Sequence, residues 1–210
     1  MQVHYSSSPT IKTIQQEIVQ FILLILIVAA VCLTIFLDVM VLEHGVGERS
    51  LTEYYQQVLI FSVACSFAYA VKIDKGNRHF HVLVMGFFTC MLIRELDSFF
   101  DQIVHGFWLY PALLVFVTCS LYASRNNRDT LEGLAQFTRH RNFQSIVVAL
   151  VIILVFSRLF GMGELWKAIL VDHYIRLAKD IVEEGTELLG YSLLFFSSIG
   201  YIRSLPHRDL

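Results

Sequence analysis

Between residues 18 and 42 the chain carries a single charged side chain, Asp38, in a run that is otherwise almost wholly apolar. A helix rises about 1.5 Å per residue, so roughly 20 residues cross a hydrocarbon core about 30 Å thick. The run is too long for the apolar core of a signal peptide, and no A-x-A cleavage pattern follows it. It reads as a retained membrane anchor.

Five more apolar segments have the length of a span, at about 56–73, 80–101, 105–124, 143–162 and 181–202. The turn between the third and fourth is very short, which predicts an antiparallel helical hairpin. Hydrophobic residues make up 56% of the 210, charged residues only 16%, and mean hydropathy is +0.60. A soluble domain of this size cannot bury that much apolar surface. The expectation is an all-α polytopic integral membrane bundle of about six transmembrane helices, one domain over residues 1–210, with short interfacial helices. Short loops suit a bacterial inner membrane. The expected partners are the bilayer and, beyond it, a homo-oligomer or a subunit of a larger membrane complex. Nucleic acid is not an expected partner: the net charge of −2 is uninformative on this point, and no basic domain or zinc-finger spacing is present. Cys32, Cys65, Cys90 and Cys119 each sit inside a different apolar run and read as small packing residues.

Lysine and arginine set the orientation. One side collects Lys12, then Lys72, Lys75 and Arg78, then Arg125, Arg128, Arg139 and Arg141, then Arg203 and Arg208. The loop containing Glu43, Glu48, Arg49 and Glu53 lies on the other side. Both termini are therefore expected in the cytoplasm. The fifth loop runs against the rule, since Lys167, Arg176 and Lys179 fall outside. Two loops predict interfacial helices. "DTLEGLAQF" aligns Leu131, Leu134 and Phe137 on one face, and "GELWKAILVDHYIRLAKD" carries Trp166 as an interfacial anchor.

Charges inside the apolar runs carry the functional reading. Asp97 lies about 24 Å from His81 along the third span, Glu187 about 24 Å from Arg203 along the last, and Arg158 about 25 Å from Arg141 along the fifth. All three reach one level in the outer part of the core. Arg94, Asp97, Ser98, Asp101 and His105 share a face if their helix persists, and Asp180, Glu183, Glu184, Glu187 and Tyr191 cluster on another. A charge at mid-membrane costs about 2.5–3.5 kcal/mol, so such residues face the bundle interior and pair there.

The expected site is an outward-opening pocket among spans one, three, five and six. Its candidate residues are Arg94, Glu95, Asp97, Asp101, Arg158, Glu184, Glu187 and Tyr191. Acids outnumber arginines, which calls for a proton or a bound cation. The pocket would handle protons, cations or a small anionic ligand in a channel, transporter or membrane sensor. One alternative is a metal-dependent intramembrane hydrolase acting on a lipid or head group, with a divalent metal as cofactor and His44, His105, His173, Glu184 and Glu187 as candidate ligands. Another is a structural subunit whose charges only pair helices.

Overall fold

The computed structural model describes residues 8–42, 50–171 and 175–205. His44 and His173, two of the candidate metal ligands, lie outside the described residues. The described residues are helical, with no strand among them. In chain order the helices are α1 (Ser8–Phe36), α2 (Leu51–Ile73), α3 (Arg78–Glu95), α4 (Asp97–Phe100), α5 (Leu109–Ser124), α6 (Asn127–Thr138), α7 (Phe143–Val151), α8 (Ser157–Gly161), α9 (Gly163–Leu170) and α10 (Arg176–Ser204).

Among the described residues, three helical stretches are long and apolar enough to cross a membrane: Thr13–Val41, Leu51–Ile73 and Phe143–Gly161. The other three expected spans fall short for identifiable reasons. Helix α5 is apolar but only 16 residues long. Helix α3 carries Arg78, Arg94 and Glu95 at its ends. Helix α10 mixes its apolar residues with serines, tyrosines and a charged first half.

Helix α10 is the axis of the bundle and packs against α1, α2, α7 and α8, while α2 and α5 flank α3. Ile60, Val63 and Phe67 of α2 are buried with Leu188, Tyr191 and Leu194 of α10, and Phe88 of α3 joins them. The rings of Phe67 and Phe88 lie 5.2 Å apart, and Phe67 stacks on Tyr201 at 5.9 Å. The outward faces of α1, α5 and α7 are apolar and exposed, as at Leu26, Phe36, Leu114, Phe116, Val148 and Val151. A soluble monomer does not tolerate an apolar surface of this extent, and hydrocarbon does.

Two π-turns interrupt these helices, at Leu37–Val41 and Ile152–Phe156. Each takes one hydrogen bond from i→i−4 to i→i−5, as in the 2.9 Å bond from Leu42 N–H to Leu37 O. Such a turn inserts a residue and rotates whatever follows. The first holds the fully buried Asp38, and the second hands directly on to Ser157 and Arg158.

The first turn explains how α2 begins. Asp38 Oδ1 accepts the Leu51 N–H and Oδ2 the Thr52 N–H, both at 2.8 Å. Ser50 Oγ accepts the Glu53 N–H at 3.1 Å, and Ser50 O accepts the Tyr54 N–H at 3.2 Å. The N–H groups of Leu51, Thr52 and Glu53, three of the four that a helix start leaves without a partner, are thereby satisfied, and Tyr54 begins the ordinary i→i−4 ladder.

The predicted interfacial helix over "DTLEGLAQF" is α6, which docks beneath α3. Gly133 lies so close to Phe80 that an added Cβ would sit 2.5 Å from its Cβ. Phe137 is buried against Phe80 and Tyr201, whereas Leu131 and Leu134 are exposed. The segment starting "GELWKAIL" forms α9, and its Trp166 donates to Phe160 O at 2.6 Å.

Candidate functional site

The polar interior lies where the end of α3, the start of α2, helix α8 and the first half of α10 meet. At its centre Arg158 is ion-paired to Glu187, which also accepts the Ser157 hydroxyl at 3.1 Å. Arg158 reaches Glu183 as well, at 3.5 Å, and Lys179 holds the other oxygen of Glu183 at 2.9 Å. Lys179 in turn approaches Asp180 at 3.2 Å. Glu183 fits against α8 because Gly161 has no side chain: a Cβ there would come within 2.3 Å of its Oε1.

A second limb crosses to α3. Arg94 pairs with its neighbour Glu95, and Glu95 accepts the Tyr191 hydroxyl at 2.8 Å. Arg94 and Glu95 both lie close enough to interact electrostatically with Glu187. A third limb reaches α2, where Gln56 donates to Glu184 Oε2 at 3.1 Å and to Glu184 O at 3.0 Å. The next residue, Gln57, donates to Glu53 at 3.1 Å and to the Glu95 carbonyl at 3.3 Å. Glu184 feels Glu183, Glu95 and Glu53, and among the described residues no cationic side chain is within ion-pair distance of it.

Of the residues singled out in the sequence, Arg94, Glu95, Arg158, Glu184, Glu187 and Tyr191 meet in this network. Asp97, Asp101 and His105 do not enter it. The shared face required one helix through His105, but α3 ends at Glu95 and a turn at Leu96 follows. Asp97 Oδ1 takes the Ser98 N–H at 2.6 Å, a local bond that competes with helix continuation. Asp97 is consequently exposed. Asp101 accepts the Gly106 N–H and approaches His105 Nδ1, both at 2.8 Å, and so ties the loop before α5 rather than lining the cluster. This loop is also longer than the tight hairpin expected, since α5 begins only at Leu109. Asp38 of the first span serves the start of α2.

Glu183, Ser157, Lys179, Gln56 and Gln57 complete the network and were not among the candidate site residues. The glutamine pair had a signal: it interrupts "YYQQVLIF", a stretch otherwise apolar enough to span. Ser157 had none, because its place beside Glu187 depends on the π-turn before it.

The candidate ligand set His105, Glu184 and Glu187 is not assembled, because His105 stands exposed on the loop beyond α4. More broadly, no group of three or more His, Cys, Asp or Glu among the described residues is arranged to hold a metal ion.

No protein-family model, curated protein or solved structure matches this chain.

Proposed function

We propose that the chain is a six-span cell-membrane protein, of the short-looped kind found in bacterial inner membranes, that takes up and releases protons or a small cation at the α2–α3–α8–α10 cluster. In this reading α1, α2, α3, α5, α7–α8 and α10 are the spans and both termini are cytoplasmic. Among the charges that keep α3 and α10 from looking like spans, Glu95, Glu183, Glu184 and Glu187 are turned into the bundle, which is where a membrane protein puts its functional ionisable groups.

The observation that carries the reading is the surplus of acid. Among the described residues, four glutamates, Glu95, Glu183, Glu184 and Glu187, gather here against Arg94, Arg158 and Lys179 as the cations. A carboxylate that no fixed cation neutralises is balanced by a proton or a mobile cation. Glu184, held by a neutral glutamine, is that group. The cluster also has a route outward along α10, from the buried Tyr191 through Glu187, Arg158, Glu183, Lys179 and Asp180 to the exposed Arg176. An anionic ligand is disfavoured because both arginines are already committed to glutamates.

The test is ion flux in proteoliposomes carrying an internal pH-sensitive dye, with proton and then alkali-cation gradients imposed. The expected result is a flux above that of protein-free vesicles, lost in Glu184→Gln. Wild-type vesicles that match empty ones under both gradients would reject the reading and leave the acids as helix fasteners.

A further inference from the structure

The inner face of α10 stays polar well beyond the acid cluster. Glu184, Glu187, Tyr191, Leu194, Ser198 and Tyr201 follow one another at three- and four-residue steps, which sets them in one row along the helix. From Glu187 to Tyr201 every member of the row is buried. Leu194 alone brings no polar side-chain atom. Ser198 is fully enclosed, and among the described residues its hydroxyl has no hydrogen-bond partner. Buried polar side chains are nearly always bonded, so an unpaired hydroxyl in the core of a bundle calls for a reason.

The row leads to a second polar group, one that the acid cluster does not use. The Tyr201 ring lies 6.1 Å from that of His81 at the start of α3, and its phenol is in electrostatic range of Asp74. His81 is completely buried, with Nε2 3.1 Å from Asp74 Oδ2. An ionised carboxylate only accepts, so Nε2 carries the hydrogen and Nδ1 keeps a lone pair. Among the described residues nothing donates to that lone pair. Asp74 Oδ2 also accepts Asn77 Nδ2 at 2.9 Å, and the same amide reaches the exposed Gln136 of α6 at 3.0 Å. The titratable groups around His81 are thus Asp74 on the turn after α2, Asp129 on α6 and Tyr201 on α10. Among the described residues no lysine or arginine is within ion-pair distance of Asp74, which leaves His81 as its basic partner.

We propose that His81 and Asp74 form the inner terminus of a proton pathway, joined to the acid cluster along Tyr201, Ser198 and Tyr191 and closed at Leu194. A proton gained at Nδ1 makes His81 an imidazolium neutralised by Asp74, and its loss toward the cytoplasmic side restores the neutral ring. Acids and histidines in series within a membrane are the usual parts of a proton relay. A hard cation is held by several oxygens at once, whereas this row presents single polar groups spaced along a helix. Leu194 is buried with Phe67 and Phe88 in an apolar layer between Tyr191 and Ser198. Such a constriction blocks passage until water enters it. The pathway rests on the reading of the cluster as a proton or cation site and narrows that choice to the proton.

The experiment compares proton flux into proteoliposomes for wild type, Ser198→Ala, His81→Gln and Leu194→Ser, each checked for folding by its melting midpoint. Ser198→Ala removes a hydroxyl that bonds to nothing, so its stability matches wild type. Its proton flux is nevertheless expected to fall, which a role in packing alone does not predict. His81→Gln keeps a donor for Asp74 and is expected to conduct no better than protein-free vesicles. Leu194→Ser opens the apolar layer and is expected to conduct faster than wild type. The proposal is overturned if either folded variant, Ser198→Ala or His81→Gln, conducts as wild type, or if folded Leu194→Ser conducts no faster. Should His81→Gln or Leu194→Ser misfold, Ser198→Ala decides. Flux that is lost in Glu184→Gln but survives in Ser198→Ala and His81→Gln sinks the pathway and leaves the cluster reading standing. Wild type that moves an alkali cation but no protons does the same, and wild type that moves neither overturns both.

Discussion

Tyr191 Oη donates to Glu95 Oε1 across 2.8 Å, and this one carboxylate also holds Arg94. The bond fastens the middle of α10 to the last residue of α3, at a tyrosine with no solvent exposure. A buried phenol needs a partner, and a charged acceptor makes the bond a strong one.

Tyr191→Phe keeps the ring packed and removes only the hydroxyl. The expected loss is about 2 kcal/mol of stability. It is read from the unfolding midpoint in detergent micelles, and an unchanged midpoint would mean the bond is not made.

Arg158 and Glu187 form the other crossing, between α8 and α10, with Glu187 almost fully buried. Removing one member of a buried pair strands the other, at a cost of about 3 kcal/mol or more, whereas replacing both by apolar groups is often nearly neutral. Arg158→Met is therefore expected to melt well below wild type, and Arg158→Met with Glu187→Leu to regain most of the loss. A double variant no better than the single one would show that the charges are not coupled.

Asp38 is the second anchor of the fold. Asp38→Ala withdraws both carboxylate acceptors from the first turn of α2, a loss of about 1–2 kcal/mol on the scale of helix caps. Hydrogen exchange at Leu51 and Thr52 should rise sharply while the amides around Phe67 stay protected. Equal exchange at both places would contradict the local role.

His140 supplies a pH dependence outside the spans. Its Nδ1 accepts the Asn142 N–H at 3.2 Å, so the neutral ring places its hydrogen on Nε2, facing Ser204 Oγ at 2.8 Å. Burial pushes its pKa below the usual 6.5, and the neighbouring Arg141 adds to the effect. A folded value lower than the unfolded one means that the unfolded chain binds more protons in the window between them. The contribution is complete above about pH 6.5 and fades as the pH falls through the lower, folded value. Melting wild type and His140→Gln at about pH 7.5 and about pH 5 should show a smaller acid-induced drop in the variant.

The helices were legible because apolar runs of membrane length leave few alternatives: each of the six runs contains a helix, but the third breaks after Glu95, the fourth starts only at Leu109, and α7 and α8 are joined by a π-turn. Composition alone qualifies only three of them as spans. The members of the polar network contributed by α10 could be read from helical spacing, because α10 is regular from Arg176 to Ser204. Spacing fails beyond Glu95, where Asp97 closes a local bond and the face that Asp101 and His105 would have extended is lost. It also says nothing of the π-turns, since the extra residue leaves no mark in composition. Gln56 and Gln57 are a different case: neutral amides carry no charge to mark them within an apolar run, although they hold Glu184 and Glu53.

The position of α10 after α8 in the chain has a consequence for biosynthesis. Arg94 is made together with its partner Glu95, but Arg158 leaves the ribosome well before Glu183 and Glu187 exist. In the six-span reading the segment bearing Arg158 waits at the insertion machinery without a counter-charge until α10 follows. The two segments are then expected to partition into the lipid as a pair, and a chain stopped before Arg176 to be a substrate for membrane proteolysis.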